Sequence, residues 1–294
     1  MITRVTTQMT MSAAQTRLQA GAAKLAQLTD QATSLKNITV PSDDPVGTGR
    51  AIAVRGEQAQ NAQYARNTDS GAGWLDTTDS TLAGVYSVMN TFRDLTVQGA
   101  NDGTLGPTDR DAIVTQLQGL KQSLLQDANT SYAGRPVFAG STNASAAYAD
   151  DFTWNGTADS TVTRRIASGT TVRVDTDGSA VFGTGADSVF SLIDNVVSDL
   201  QKGVNVNPRI TEIDSRLGAI RGVQADVGTR HAAVLSAKQT LASQKVDLEG
   251  QRSQIEDKDV ASAILDLQIQ QTNYQAALAV TAKTLQPTLM DYLR

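Results

Sequence analysis

The sequence predicts a mainly α-helical, elongated fold in which long antiparallel helices or coiled coil join the N- and C-terminal regions and a small β-rich segment interrupts the middle. Three observations carry that prediction. Apolar residues recur in 3,4 order across both terminal regions, the spacing of one face of a helix. A proline-started stretch from Pro208 to Glu249 keeps that order without a break. Between about Arg135 and Gly185 the order disappears, while Gly, Ser, Thr and Asp become frequent.

Taken in chain order, Met11, Ala14, Leu18, Gly21, Leu25, Leu28, Ala32 and Leu35 form the first seam. Its flanks hold Gln, Thr and Ala with few charges, so it lacks the charged positions that make a coiled coil self-sufficient. It is a helix in need of a partner. Pro41 to Gly49 punctuates the pattern, helix resumes near Arg50, and Leu75, Thr78, Leu82, Val85, Met89, Phe92 and Thr96 keep the spacing. After a loop over Gly99 to Pro107, Thr108 and Asp111 resemble a capping box ahead of the stripe Ile113, Leu117, Leu120, Leu124. That stripe predicts a second, antiparallel helix.

In the middle segment Val162, Arg164 and Ile166 alternate with polar neighbours, as do Val172 and Val174, with turns at Ser168-Gly169 and Asp177-Gly178. Because it interrupts two helical regions that can close without it, it reads as an outward-facing decoration the fold can spare. Helix returns with Val189, Ile193, Val196 and Leu200. Asn207 and Pro208 then suit a helix start, and Ile210, Ile213, Leu217, Ile220, Gln224, Val227, His231, Val234, Lys238, Leu241, Lys245 and Leu248 follow in order. Such a helix is about 60 Å long. Beyond a charged break at 256–259, Val260, Ile264, Leu267, Gln271, Tyr274, Leu278, Thr281 and Leu285 make the last seam. The two weakly charged ends are expected to pair. The predicted organisation is therefore terminal helices 1–40 with 260–294, a helical rod 41–134 with 186–259, and a β-rich insertion 135–185.

Composition narrows function. A formal charge of −5 and a pI near 4.9 supply no basic field for nucleic acid, and the absence of cysteine removes disulfides, thiolate metal sites and cysteine nucleophiles. The start lacks the apolar core of a Sec signal, and no run reaches a membrane span. His231 is the sole histidine and sits on a predicted helix seam, which leaves no multi-histidine metal site; no G-x-S-x-G, Walker or H-E-x-x-H motif occurs. Trp74 and Trp154 stand without an aromatic cluster, as packing residues do. Asp43-Asp44-Pro45 could be paired acids or hard-metal ligands, yet two acids before a proline suit a turn and helix cap, with Asp44 accepting a backbone N–H and Pro45 opening the helix.

Several stretches together carry a resemblance: MITRVTTQM at 1–9, VPSDDPVGTGRAIAVRGEQAQNAQYARNTDSGAGWL at 40–75, DRDAI at 109–113, ANT at 128–130, RPVFAG at 135–140 and IEDKDVASAILDLQIQQTNYQAALAVTAKTLQPTLMDYL at 255–293. They resemble the bacterial flagellin family. Within it, Pro41-Ser42-Asp43-Asp44-Pro45 and Asp291-Tyr292-Leu293 are similar to the hook–filament junction members, the filament subunit reading more like DDAAG. Leu35-Lys36-Asn37-Ile38 and the Pro-Val-Phe before Ala139-Gly140 depart from the family pattern.

The resemblance implies a secreted structural subunit, exported through the flagellar type III apparatus, assembling as a ring of its own copies on the first junction protein FlgK. Flagellin would polymerise on its outer side, and an export chaperone is a further expected partner. Nucleic acid, membrane, cofactor, metal and catalytic residues are not expected. Subunit assembly would fall to Met11, Leu18, Leu25, Leu28 and Leu35 with Ile264, Leu267, Tyr274, Leu278 and Leu285, and the joint to Pro41, Ser42, Asp43, Asp44 and Pro45. The alternatives are flagellin itself and an extracellular enzyme with its activity in the β-rich segment.

Overall fold

The computed structural model describes residues 7–101, 106–157 and 160–284. Its helices are α1 (Thr7–Ser34), α2 (Pro45–Gly99), α3 (Pro107–Ala128), α4 (Gly178–Phe182), α5 (Val189–Gln201), α6 (Asn207–Glu256) and α7 (Val260–Thr284). Between α3 and α4 lie two antiparallel pairs, β1 (Ser131–Tyr132) with β2 (Arg135–Pro136) and β3 (Thr163–Ala167) with β4 (Thr170–Arg173). The chain divides into a terminal unit, Met1–Gln60 with Lys245–Arg294, and a central unit, Asn61–Gln244.

In the central unit α2 and α6 run antiparallel, and side chains mark the register. Asn61 Nδ2 donates to the Leu241 carbonyl at 3.2 Å, Lys238 meets Asp69 at 2.8 Å, His231 meets Asp76 at 3.0 Å, and Arg93 meets Asp214 at 2.6 Å. Each step up α2 is a step down α6. The stripe Leu75, Thr78, Leu82, Val85, Met89, Phe92 and Thr96 is wholly buried, facing a core that includes Ile213, Leu217, Ile220, Val227 and Val234 of α6. Thr78 and Thr96 tolerate burial because their hydroxyls donate to the carbonyls of Trp74 and Phe92, one turn earlier. His231 and Lys238 sit on the flank of the seam, where their polar ends reach α2 carboxylates and stay partly in water.

Helices α3 and α5 pack on each other through Ile113, Leu117 and Leu124 and through Ile193, Val196 and Leu200. Two helix starts differ from the sequence reading. At α3 the Asp109 carboxylate accepts from Gly106 N at 3.0 Å, so the box is set earlier than Thr108-Asp111 because Pro107 takes the first position. At α6 the side-chain acceptor is Asn205, which receives Asn207 N at 2.9 Å.

The middle segment is no detachable decoration. Val137, Phe138, Tyr148, Val162, Val174, Val181 and Phe182 are buried in the same continuous core as α2, α3, α5 and α6. Phe138 meets Phe182 edge-on at 5.3 Å, and Tyr148 meets Phe182 and Phe190 at 5.5 and 5.3 Å. The Tyr148 hydroxyl lies within hydrogen-bonding distance of the carbonyls of Gly178 and Gly183, at 3.0 and 2.8 Å, and burial pushes its pKa up. Against the expectation that the fold can spare this segment, Phe138 enters the core from a turn, Tyr148 from an isolated bridge and Phe182 from the short α4, elements too brief to carry a hydropathy period.

In the terminal unit α1 packs along α7. Leu28 and Ala263 are buried at this contact, while Leu18, Leu25, Leu267 and Tyr274 are half-buried. Gly21 suits the close approach here: a Cβ would stand 3.2 Å from the Tyr274 ring, which would have to give by a few tenths of an ångström. The inward line of α7 runs through Ala263, Leu267, Gln270, Tyr274 and Thr281, so Ile264 and Leu278 of the predicted seam are displaced from it and exposed. A small alanine permits the close approach that a hydropathy reading assigns to the larger Ile264. Met11 is also exposed, and Leu35 has left the helix with φ +53°. Leu285 lies outside the described residues.

Candidate functional site

The joint between α1 and α2 is built by its two acids acting on backbone. Asp44 Oδ1 accepts from Val46 N at 3.1 Å and Gly47 N at 2.9 Å, capping α2, whose first residue is Pro45. Gly47 leaves room for that carboxylate, since a Cβ there would fall 2.3 Å from Asp44 Oδ2. Asp43 Oδ2 accepts from the Thr39 hydroxyl at 2.7 Å, Val40 N at 3.0 Å and Thr39 N at 3.1 Å, and Oδ1 accepts from Gln27 of α1 at 3.2 Å. The Thr39 hydroxyl first, then the two amides, hold the Asp43 carboxyl below its ordinary value of 3.8. One acid thus starts α2 and the other ties the turn back to α1. Pro41 and Ser42 are exposed at its tip.

A second connection escaped the sequence reading, which treated 256–259 as a plain charged break. Lys36 and Asp257 form an antiparallel bridge, with Asn37 N donating to the Glu256 carbonyl at 2.6 Å and Lys258 N to the Leu35 carbonyl at 3.0 Å. Glu256 is buried, with Arg55 Nε 2.8 Å from Oε1 and Lys36 Nζ 3.8 Å from Oε2. Lys36 also bonds Asp257, which lowers the pKa of that carboxyl. Buried Gln31 donates to the Asn37 carbonyl at 3.0 Å and accepts from Lys258 Nζ at 3.2 Å; Lys258 continues to Asp266 at 2.9 Å. The pairs that join the first 55 residues to 256–258 lie more than two hundred residues apart, so no local spacing could reveal them.

Apolar exposure is uneven. Among the described residues, every exposed large hydrophobic except Val97, Val204 and Leu235 belongs to the terminal unit. On α7, Leu265, Ile269 and Val280 are each more than half exposed. None of the described helices is long and apolar enough to cross a membrane, and no group of three potential metal-ligating side chains occurs among the described residues.

Comparison with known proteins points one way. Residues 5–143 match the bacterial flagellin N-terminal helical region and residues 210–293 match its C-terminal helical region. Flagellar hook-associated protein 3 of Salmonella typhimurium is 27% identical over 93% of this chain and 94% of its own length. Flagellin B of Helicobacter pylori is 31% identical, but over 35% of this chain and 20% of its own length. The fold is shared with the crystal structure of Bacillus cereus FlgL, with a TM-score of 0.60 and 22% identity over 68% of this chain and 99% of that one.

Proposed function

We infer, from the premise that this chain belongs to the bacterial flagellin family, that it is a structural subunit of the flagellum at the junction between hook and filament. The end-to-end match to a hook-associated protein 3, against a match to only a fifth of flagellin B, favours the junction over the filament. The observation that carries an assembly role is the apolar surface concentrated on the terminal unit. Isolated apolar side chains are ordinary on a surface, but Leu265, Ile269 and Val280 lie on one weakly charged helix, suited to burial against another subunit. Met11, Leu35, Ile264 and Leu278 are exposed on the same unit and fall within this assembly surface, beside Leu18, Leu25, Leu28, Leu267 and Tyr274 that hold α1 to α7.

In this reading the chain leaves the cell through the flagellar export apparatus, with a chaperone covering apolar surface until assembly. Copies then form a ring by heterologous contacts, seated on FlgK and starting flagellin polymerisation on the other side. No chemistry is required of any residue. Antibody labelling of flagella should find the protein as a trace at the hook–filament boundary, and a strain lacking it should bear hooks and release flagellin into the medium. Labelling along the whole filament would overturn the junction assignment in favour of flagellin.

The joint gives a finer expectation. Asp44→Ala removes a cap worth about 1 kcal/mol, and Pro45→Gly adds up to about another through the unfolded chain. That is too little to unfold the protein. The double variant should be secreted and folded, yet cells should shed flagellin monomers because the terminal helices no longer keep one geometry. Normal filaments from the double variant would remove the joint from the mechanism.

A further inference from the structure

Packing along α1 and α7 is graded. Where α1 ends and α7 begins, Leu28 and Gln31 are each 7% exposed and Ala263 is 2% exposed. Toward the other end the contact thins: Leu18 and Tyr274 are only half-buried, and Met11 and Leu278 are 50% and 43% exposed. The register is antiparallel, with Lys258 on Gln31 and, farther along, Gln270 Nε2 donating to the Gly21 carbonyl at 3.3 Å. The tight end is the end held by the Lys36–Asp257 bridge.

We propose that this bridge, with Glu256 and Lys258 as its two side-chain anchors, is a latch that nucleates the α1–α7 pair, so that pairing spreads from the latch toward the chain termini. The anchors divide the task. Glu256 gathers Arg55 of α2 and Lys36 of the turn after α1, which fixes that turn beside the end of α6. Lys258 reaches Gln31 of α1 and Asp266 of α7, which sets the first contact between the two helices. Gln31 is engaged at both ends of its amide, with the Asn37 carbonyl as acceptor and Lys258 as donor, so a side chain that is costly to bury becomes a fixed strut.

The physical reason for a direction is cooperativity. Starting a helical contact fixes many dihedral angles for few interactions, whereas each later turn fixes few. The seam cannot start the pair at its far end, where side chains stay half-exposed and the flanks offer few charges. With two backbone hydrogen bonds already made, the latch supplies the first register contact, and Leu28 against α7 follows within a turn or two. Gly21 under Tyr274 comes later, and the residues around Met11 and Thr281 last. A surface that completes itself from the inside outward leaves its terminal ends free to settle last against a neighbour. This inference concerns order within the terminal unit and does not depend on which flagellar position the subunit occupies.

Native-state hydrogen exchange on the full chain tests it. In the unaltered protein, protection should be highest at residues 26–34 and 261–268 and decline steadily toward residues 11 and 281. Glu256→Gln, which keeps shape and removes charge, and Lys258→Met should each lower protection at least tenfold along the whole of α1 and α7, with α3 and α5 unchanged. Lys258→Arg should restore most of it, and Leu18→Ala should affect only the outer half of the pair. Even protection along α1 and α7, a gradient of the opposite sense, or latch variants that loosen only the adjacent turn would overturn the proposal. If Glu256→Gln also loosened α3 and α5, it would be acting on the whole fold, and Lys258→Met with its arginine rescue would decide the matter.

Discussion

A chain lacking residues 1–40 and 260–294 is expected to remain a soluble, helical, cooperatively folding monomer and to be absent from flagella. The continuous core runs from Ala72 to Val234 and lies wholly in the central unit, so the cut removes none of it. Arg55 and Glu256 are both retained, so the buried carboxylate keeps one cation. The losses are α1, α7 and the latch contacts of Lys36 and Gln31. Thermal unfolding should therefore keep one main transition within a few degrees of the full chain, since a shift of about 1 kcal/mol moves a domain of this size by roughly 2–4 °C. Incorporation should fall below detection, measured by adding purified protein to cells that lack their own copy, which bypasses export. Broad, non-cooperative melting of the truncated chain would sink the division into an assembly unit and an independent body.

The contrast between the two units explains what the sequence could reveal. The α2 stripe from Leu75 to Thr96 was legible because seven positions in strict 3,4 order are all fully buried, and burial of one face is what that order encodes. The Asp44-Pro45 cap was equally legible, its partners lying two and three residues away. The inner face of α7 was not, because it is marked by Ala263 and Gln270 rather than by its largest apolar residues, while Ile264 and Leu265 stay exposed. In the proposed assembly such residues would serve a contact that a lone chain does not make, so their hydropathy misdirects any reading of the monomer. The latch was invisible for a simpler reason. A glutamate at the end of a helix says nothing about an arginine two hundred positions earlier.

The same limit governs the β-rich segment, and it yields the largest expected effect. Replacing Thr142 to Thr184 with a short Gly/Ser linker should abolish the cooperative fold of the central unit, and motility with it. The replaced stretch contains Tyr148, Val162, Val174, Val181 and Phe182, all in the continuous core. Truncating a single buried phenylalanine costs about 3–5 kcal/mol, and a whole protein is stable by about 5–15 kcal/mol. Removing several such side chains at once exceeds what the remaining core can withstand, and Phe138 and Phe190 would be left facing water without their ring partners. Position within the segment matters, because its tip is different. Gly169 joins β3 to β4 with φ +71°, is exposed, and has open space where a Cβ would be. A short Gly/Ser insertion after Gly169 should leave melting and swimming intact, as lengthening an exposed turn costs little. Calorimetry on both variants separates the cases: loss of the transition in the replacement with its retention in the insertion is the expected pair. An unchanged transition in the replaced chain would mean that the helices close without these aromatic residues, and the segment would return to being a surface decoration.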